Sequence, residues 1–356
     1  MAKRTSVADP IYSPQELFSL LTTCVKARLP VLVIGKPGQG KSDIITSVAH
    51  SMDADLLVSH PVVDEPIDYK GMPSVWREKG VTKAAFTPYG DLEKLITAKK
   101  LTIHFADDLG QAPDAVKAAY MQLMLNRAIN NHKVSDNVIF IAASNRKEDK
   151  AAVRSFLEPL KDRFVTIAEL ENNMKDWCEW MLAQANDGII SKDTAFKLIS
   201  YVRYVPQVLD EFKASSDFSR TPTPRSIWFI AKMIEAGMPK ELELRAFSGA
   251  IGKHRGQEFT GFLRIWENLP DPDKVLKSPD NAKIPEDAGT KYALCGALAA
   301  RSNKNTIENI IKYANRLPDE FSVLLVRDSI SQDKTELCNN KAFAQWAVEH
   351  QDVLVG

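Results

Sequence analysis

Apolar residues follow two rhythms along this chain. In the first half, short apolar runs recur at 31–34, 55–58, 101–106, 138–143 and 164–170. Such runs, rich in β-branched residues, read as buried strands. Between several of them the period changes to that of a helix. Ser13-Pro14-Gln15-Glu16 opens one, with Ser as cap, Pro at the first position and Glu closing a capping box. Leu17, Leu20, Leu21, Cys24 and Val25 then share a face. Ile44, Ile45, Val48, Ala49 and Met52 do the same for 43–52, and Val116, Tyr120, Leu123 and Met124 for 114–128. Five strands alternating with helices predict a mainly parallel sheet covered on both faces, over roughly residues 11–172.

Beyond Leu170 the strand rhythm fades. Helices are expected at 174–185, 193–205, 225–236, 241–251 and 256–267. The stretch 268–290, rich in Pro and Asp, reads as a linker. A last helical block runs over 291–350, where Ile307, Ile310, Ile311 and Ala314 keep helical spacing. Two hairpins are expected in the first half. One pairs 74–77 with 81–86 across Glu78-Lys79-Gly80; the other surrounds Asn130-Asn131-His132. Either face of the first, with Trp76 and Arg77, could contact a partner or pack on its own domain. There is no internal repeat.

Composition narrows the class without naming it. The 356 residues allow two or three domains. Formal net charge is zero, which does not favour a nucleic-acid partner held by a strong basic field. Cys24, Cys178, Cys295 and Cys338 are far apart and read as reduced thiols. The histidines lack zinc-ligand spacing. With no long apolar run and no secretory pattern at the start, a cytoplasmic protein without a membrane span is expected.

The chemistry begins at Gly35-Lys36-Pro37-Gly38-Gln39-Gly40-Lys41-Ser42, which reads G-x-x-x-x-G-K-S. It follows an apolar strand and precedes a helix, as a phosphate-binding loop requires. Glycines let backbone N–H groups curl round phosphate oxygens, and the helix N-terminus adds favourable partial charge. Gly35, Pro37, Gly38, Gln39, Gly40, Lys41, Ser42 and Asp43 are the expected nucleotide-binding residues. Lys41 would reach the β- and γ-phosphates, and the Ser42 hydroxyl would ligate Mg²⁺. The strand at 101–106 delivers Asp107 and Asp108 to the edge of the sheet where ligands bind. Asp107 would hold Mg²⁺, and Asp108 would polarise the attacking water. His104, within that strand, reads as a core imidazole. The segment after Asn145 lacks the N-K-x-D pattern of guanine-specific enzymes, so ATP is the expected nucleotide.

Here the residues resemble a family. Asp107-Asp108-Leu109-Gly110-Gln111-Ala112-Pro113, then Met121-Gln122-Leu123-Met124-Leu125-Asn126-Arg127, is similar to the MoxR-type AAA+ ATPases of the helix-2-insert clade. The usual family pair is Asp-Glu; this chain has Asp-Asp. A carboxylate one methylene shorter opens a slow-hydrolysis reading, since small misplacements cost rate steeply. The resemblance implies a five-stranded parallel P-loop core over 1–172, an α-helical lid over 173–270 and a helical extension over 271–356. It makes Asn145 sensor 1, Arg225 sensor 2 and Arg163 an arginine finger acting on a neighbouring subunit, with Arg154 the runner-up. It also implies a homo-oligomeric ring, a hexamer by family habit, that hydrolyses Mg²⁺-ATP to remodel a protein client. A von Willebrand factor A-domain protein is the family's frequent partner. Two rivals stay open: a nucleic-acid-associated motor of the same clade, and an ATP-gated scaffold that barely turns over.

Overall fold

The computed structural model describes residues 10–149, 158–215 and 219–350. The chain divides between Asn173 and Met174 into two compact units.

In the first unit the strands are β1 (Ile11–Tyr12), β2 (Val31–Ile34), β3 (Asp55–Ser59), β4 (Met72–Glu78), β5 (Val81–Thr87), β6 (Thr102–Ala106), β7 (Ala128–Ile129), β8 (His132–Lys133), β9 (Val138–Ser144) and β10 (Thr166–Leu170). The helices are α1 (Pro14–Lys26), α2 (Lys41–Ser51), α3 (Pro66–Lys70), α4 (Gly90–Thr97), α5 (Asp114–Asn126) and α6 (Glu158–Lys161). Six strands form one sheet in the order β1-β10-β2-β9-β6-β3, every pair parallel. The five expected strands are its body. The sixth is a correction: β1 adds two residues to the edge, Ile11 opposite Glu169.

Central strands read as unbroken apolar runs because both faces are covered. Along β2, Val31 and Val33 join Leu17, Leu21, Ile45 and Val48 of α1 and α2. Leu32 turns the other way, into the cluster of Leu92 from α4 and Val116, Tyr120 and Leu123 from α5. The helix starting at Ser13 has its full capping box with Glu16.

Both hairpins form. β4 and β5 pair antiparallel, with Glu78 opposite Val81. Lys79 and Gly80 between them both have positive φ, 49° and 80°. That mirror-image turn suits the right-handed twist of paired strands. Almost all of this hairpin is exposed, Val75 to 70%. Asn130 and Asn131 turn β7 into β8 in the same way.

The second unit is helical: α7 (Met174–Asn186), α8 (Lys192–Tyr204), α9 (Pro224–Glu235), α10 (Lys240–Ile251), α11 (Lys253–Glu267), α12 (Pro272–Lys277), α13 (Ala288–Ala299), α14 (Ile307–Ala314), α15 (Asp319–Ile330), α16 (Lys334–Leu337) and α17 (Lys341–Glu349). The expected linker at 268–290 is corrected. It contains α12, whose Val275 and Leu276 are buried, and the start of α13. One apolar core runs from Trp177 to Trp346, so helices on either side of residue 270 share it. At Gly296 of α13 a Cβ would meet Ser200 Oγ of α8, so the two helices approach closely there. Within the core, Arg203 of α8 and Asp328 of α15 form a buried two-point ion pair.

Candidate functional site

The loop Gly35–Ser42 joins the end of β2 to α2, which begins at Lys41 with Gly40 as its cap. Gly38 and Gly40 have φ of 76° and 97°, a region side chains with a Cβ rarely enter. Their glycines are therefore dictated by the turn. Gly35 N–H donates to the Ser144 carbonyl at 3.2 Å, which ties the start of the loop to β9. Lys36 N–H donates to Gln39 Oε1 at 2.5 Å, so Gln39, which is buried, folds back across the loop.

Lys41 is only 7% exposed. Its ammonium donates to the carbonyls of Gly35 and Lys36, each at 3.0 Å, and to Asn145 Oδ1 at 2.9 Å. Asn145 follows β9, 104 residues away in sequence. Its amide nitrogen donates in turn to Asp108 Oδ1 at 3.1 Å. Asp108 N–H donates to Asp107 Oδ1 at 3.0 Å, and Ser42 Oγ donates to Asp107 Oδ2 at 2.8 Å. Lys41, Asn145, Asp108, Asp107 and Ser42 thus form one bonded circuit, closed through the first turn of α2. It sits at the carboxyl ends of β2, β6 and β9, where open parallel sheets place their ligands. Asp108 itself holds a left-handed backbone, φ 55° and ψ 31°.

The oxygens of Ser42 and Asp107 also fit a cation. Neighbouring ligands of octahedral Mg²⁺, each at about 2.0–2.1 Å, lie about 3 Å apart. The observed separation is 2.8 Å. Among the described residues no group of three or more His, Cys, Asp or Glu side chains could hold a metal by itself. Mg²⁺ commonly takes one or two protein oxygens and completes its shell with phosphate and water, so this donor set suits it.

The remaining expected site residues are not members of this circuit. Arg163, just before β10, is exposed and makes no side-chain hydrogen bond or ion pair among the described residues. Arg154 lies outside the described residues. Arg225, also exposed, is in the second unit, in the first turn of α9. That helix begins as the sequence implied, with Thr223 as cap in a box with Ser226.

One residue beside the circuit carried no expectation. Arg146 makes a two-point contact with Asp149 at 2.8 and 3.0 Å and reaches Glu169 of β10 at 3.1 Å. It ties the segment after Asn145 to β10, which lies beyond β2 in the sheet. The Arg-x-x-Asp spacing was its only local signal. His104 is buried as expected, stacked on Tyr120 and edge-on to Phe140. Burial pushes its imidazole down to about 4, so it is neutral.

A parallel sheet covered on both faces, with a phosphate loop at its carboxyl edge and an acidic pair bonded to that loop, is the fold of a P-loop NTPase. No protein-family model matches the chain, and no curated protein does. Among solved structures it is similar to RuvB, the Holliday junction branch migration motor of Thermotoga maritima, at 17% identity. That match covers 80% of each chain with a TM-score of 0.40. It is also similar to NtrX of Brucella abortus in complex with ADP, at 16% identity, over 69% of this chain and 65% of that one, TM-score 0.35. With superpositions this loose, the class rests on the chain's own strand order and loop. No helix among the described residues is long and apolar enough to cross a membrane.

Proposed function

We propose that the protein is an AAA+ ATPase of MoxR type, a ring-forming machine that hydrolyses Mg²⁺-ATP to remodel a protein client. The observation that carries this is the bonded circuit from Lys41 through Asn145, Asp108 and Asp107 to Ser42. It joins every group that phosphoryl transfer needs on one subunit: a cation for the β- and γ-phosphates, a metal site, a water-orienting carboxylate and a sensing amide. Ser42 and Asp107 would hold Mg²⁺, which supplies charge neutralisation between phosphates when bound. Lys41 exchanges its carbonyl partners for phosphate oxygens. Asn145 then links the nucleotide to Asp108, so the carboxylate that orients water is positioned by the same amide that contacts the γ-phosphate.

The reading assigns Arg163 to the neighbouring subunit's nucleotide and Arg225 to its own. An exposed arginine with no ion pair among the described residues is available for such a task, and guanidinium binds phosphate at two points. The test is subunit mixing. Arg163→Ala and a Lys41→Met, Asp107→Asn double variant are each expected to be inactive, and mixtures to regain hydrolysis through hybrid sites. Mixtures that stay inactive while both variants still assemble would remove Arg163 from the mechanism. Stimulation by DNA, weakened steeply by salt, would instead favour a nucleic-acid motor. The client, including any von Willebrand factor A-domain protein, is identified by its ATP-dependent capture on an Asp108→Asn variant.

One observation favours a second reading, a slow ATP-gated scaffold. The carboxylate at 108 is the short one, and its oxygen is already engaged by Asn145. Turnover that rises by an order of magnitude or more in Asp108→Glu, in proportion to the steep dependence of rate on placement, would support it.

A further inference from the structure

Asn145 is the first residue past β9, and the last paired position of that strand is Ser144. Its amide nevertheless faces two groups at once. It accepts from Lys41 at 2.9 Å and donates to Asp108 at 3.1 Å. Both contacts depend on the backbone direction at 145–146. The sheet fixes that direction from one side, and on the other side stands Arg146.

Every nitrogen of the Arg146 guanidinium is engaged. Nε and one terminal nitrogen donate to the two oxygens of Asp149, at 3.0 and 2.8 Å. The other terminal nitrogen donates to Glu169 Oε1 at 3.1 Å and lies 3.2 Å from Glu148 Oε1. Asp149 is 6% exposed, so the guanidinium takes the place of water at its charge. A local turn does not need all of this. The turn over 146–149 has its own backbone bond, from Asp149 N–H to the Arg146 carbonyl at 3.2 Å. Glu169 is 23 residues further along, in β10, and β2 separates that strand from β9. Glu169 is opposite Ile34 of β2, and Ile34 is opposite Ser144. Arg146 therefore spans the end of β2, where the phosphate loop begins.

The loop has a tie of its own. Gly35 N–H donates to the Ser144 carbonyl, and β2 is paired on both sides. Loss of Arg146 would leave that tie in place. It would release the segment after β9, and with it the direction of the Asn145 amide. Arginine suits this task, because its planar fork holds carboxylates through directional, charge-assisted bonds.

We propose that Arg146 is a positioning residue for the reaction: by bridging Asp149 and Glu169 it aims the Asn145 amide at the γ-phosphate and at Asp108. This rests on the reading of the circuit as an ATP-hydrolysing site. The test compares Arg146→Ala with the unchanged full-length chain, by turnover and by calorimetric binding of ADP and of the β,γ-imido analogue of ATP, each with Mg²⁺. Turnover should fall about 10²-fold, the effect of about 1 Å of misplacement. The analogue should bind about tenfold more weakly, as loss of one charged hydrogen bond does, while ADP affinity stays as it was. A merely structural arginine would move both nucleotides or neither. Placed on Asn145→Ala, Arg146→Ala should cost nothing further, because effects that act through one residue are not additive. Glu169→Ala removes the contact across the end of β2 and leaves the Asp149 pair. It should show the same split between nucleotides, smaller in size, and it stands in if Arg146→Ala does not fold.

The proposal is overturned if the analogue and ADP respond alike, if the losses from Arg146→Ala and Asn145→Ala multiply, or if Glu169→Ala behaves as the unchanged chain. Where the unchanged chain binds and hydrolyses ATP, such a result removes Arg146 alone. An unchanged chain that binds neither nucleotide removes the ATPase reading as well.

Discussion

Lys41 and Arg203 are both buried cations, one in each unit, and they are held in opposite ways. Arg203 faces Asp328 in a two-point pair sealed in the helical core, 9% and 4% exposed. Lys41 rests on two backbone carbonyls and a side-chain amide at the edge of the sheet. The first pair is mutual and closed, because each partner needs the other to be buried at all. The hydrogen bonds that hold Lys41 end on neutral groups, which can give way to phosphate oxygens. A buried charge therefore serves architecture when its partner is fixed, and serves chemistry when its partners can be exchanged.

Breaking the closed pair should produce the largest stability change. Arg203→Leu leaves Asp328 uncompensated and is expected to destabilise the second unit by about 3–5 kcal/mol in denaturant unfolding. Adding Asp328→Leu should recover most of that loss. A double variant as unstable as the single one would show that the pair is not mutual. Lys41→Met addresses the other side of the comparison. ATP hydrolysis should fall about 10²–10³-fold, as for loss of one charge-stabilising donor. The thermal transition of the first unit should barely move. Unfolding of that unit would place Lys41 in the same class as Arg203.

His104 offers a smaller, pH-dependent contrast, a polar group buried without a partner. Its folded value near 4 lies below the ordinary 6.5, so the unfolded chain binds more protons between those values. The contribution is fully present above pH 6.5 and is lost as pH falls towards 4, by about 2 kcal/mol between pH 7.5 and pH 5. His104→Leu should flatten that part of the stability curve. An unchanged slope would mean that folding leaves the imidazole's proton affinity where it is in the unfolded chain.

Much of this was legible in the sequence wherever the signal is local. The central strands β2, β6 and β9 are apolar runs because both faces are covered, and the phosphate loop needs glycines where φ is positive. The hairpin turns are written in Lys79-Gly80 and Asn130-Asn131. What stayed hidden depends on distance or on brevity. Two residues are too few for β1 to show a pattern, and Pro and Asp around α12 mimic a linker while capping a short helix over a buried Val275 and Leu276. Nothing near Lys41 announces that Asn145 will hold it.

The left-handed backbone of Asp108 bears on which residues that position can accept. Aspartate and asparagine are enriched in this conformation, although Lys79 and Arg127 of this chain adopt it too. Aspartate is therefore favoured at 108 by the bend as well as by its charge. The aspartate, where the proposed MoxR-type reading expects glutamate, is then a residue suited to the turn as much as to the reaction. Lengthening it in place would gain reach at a modest cost in backbone preference, so Asp108→Glu weighs the reaction against the bend.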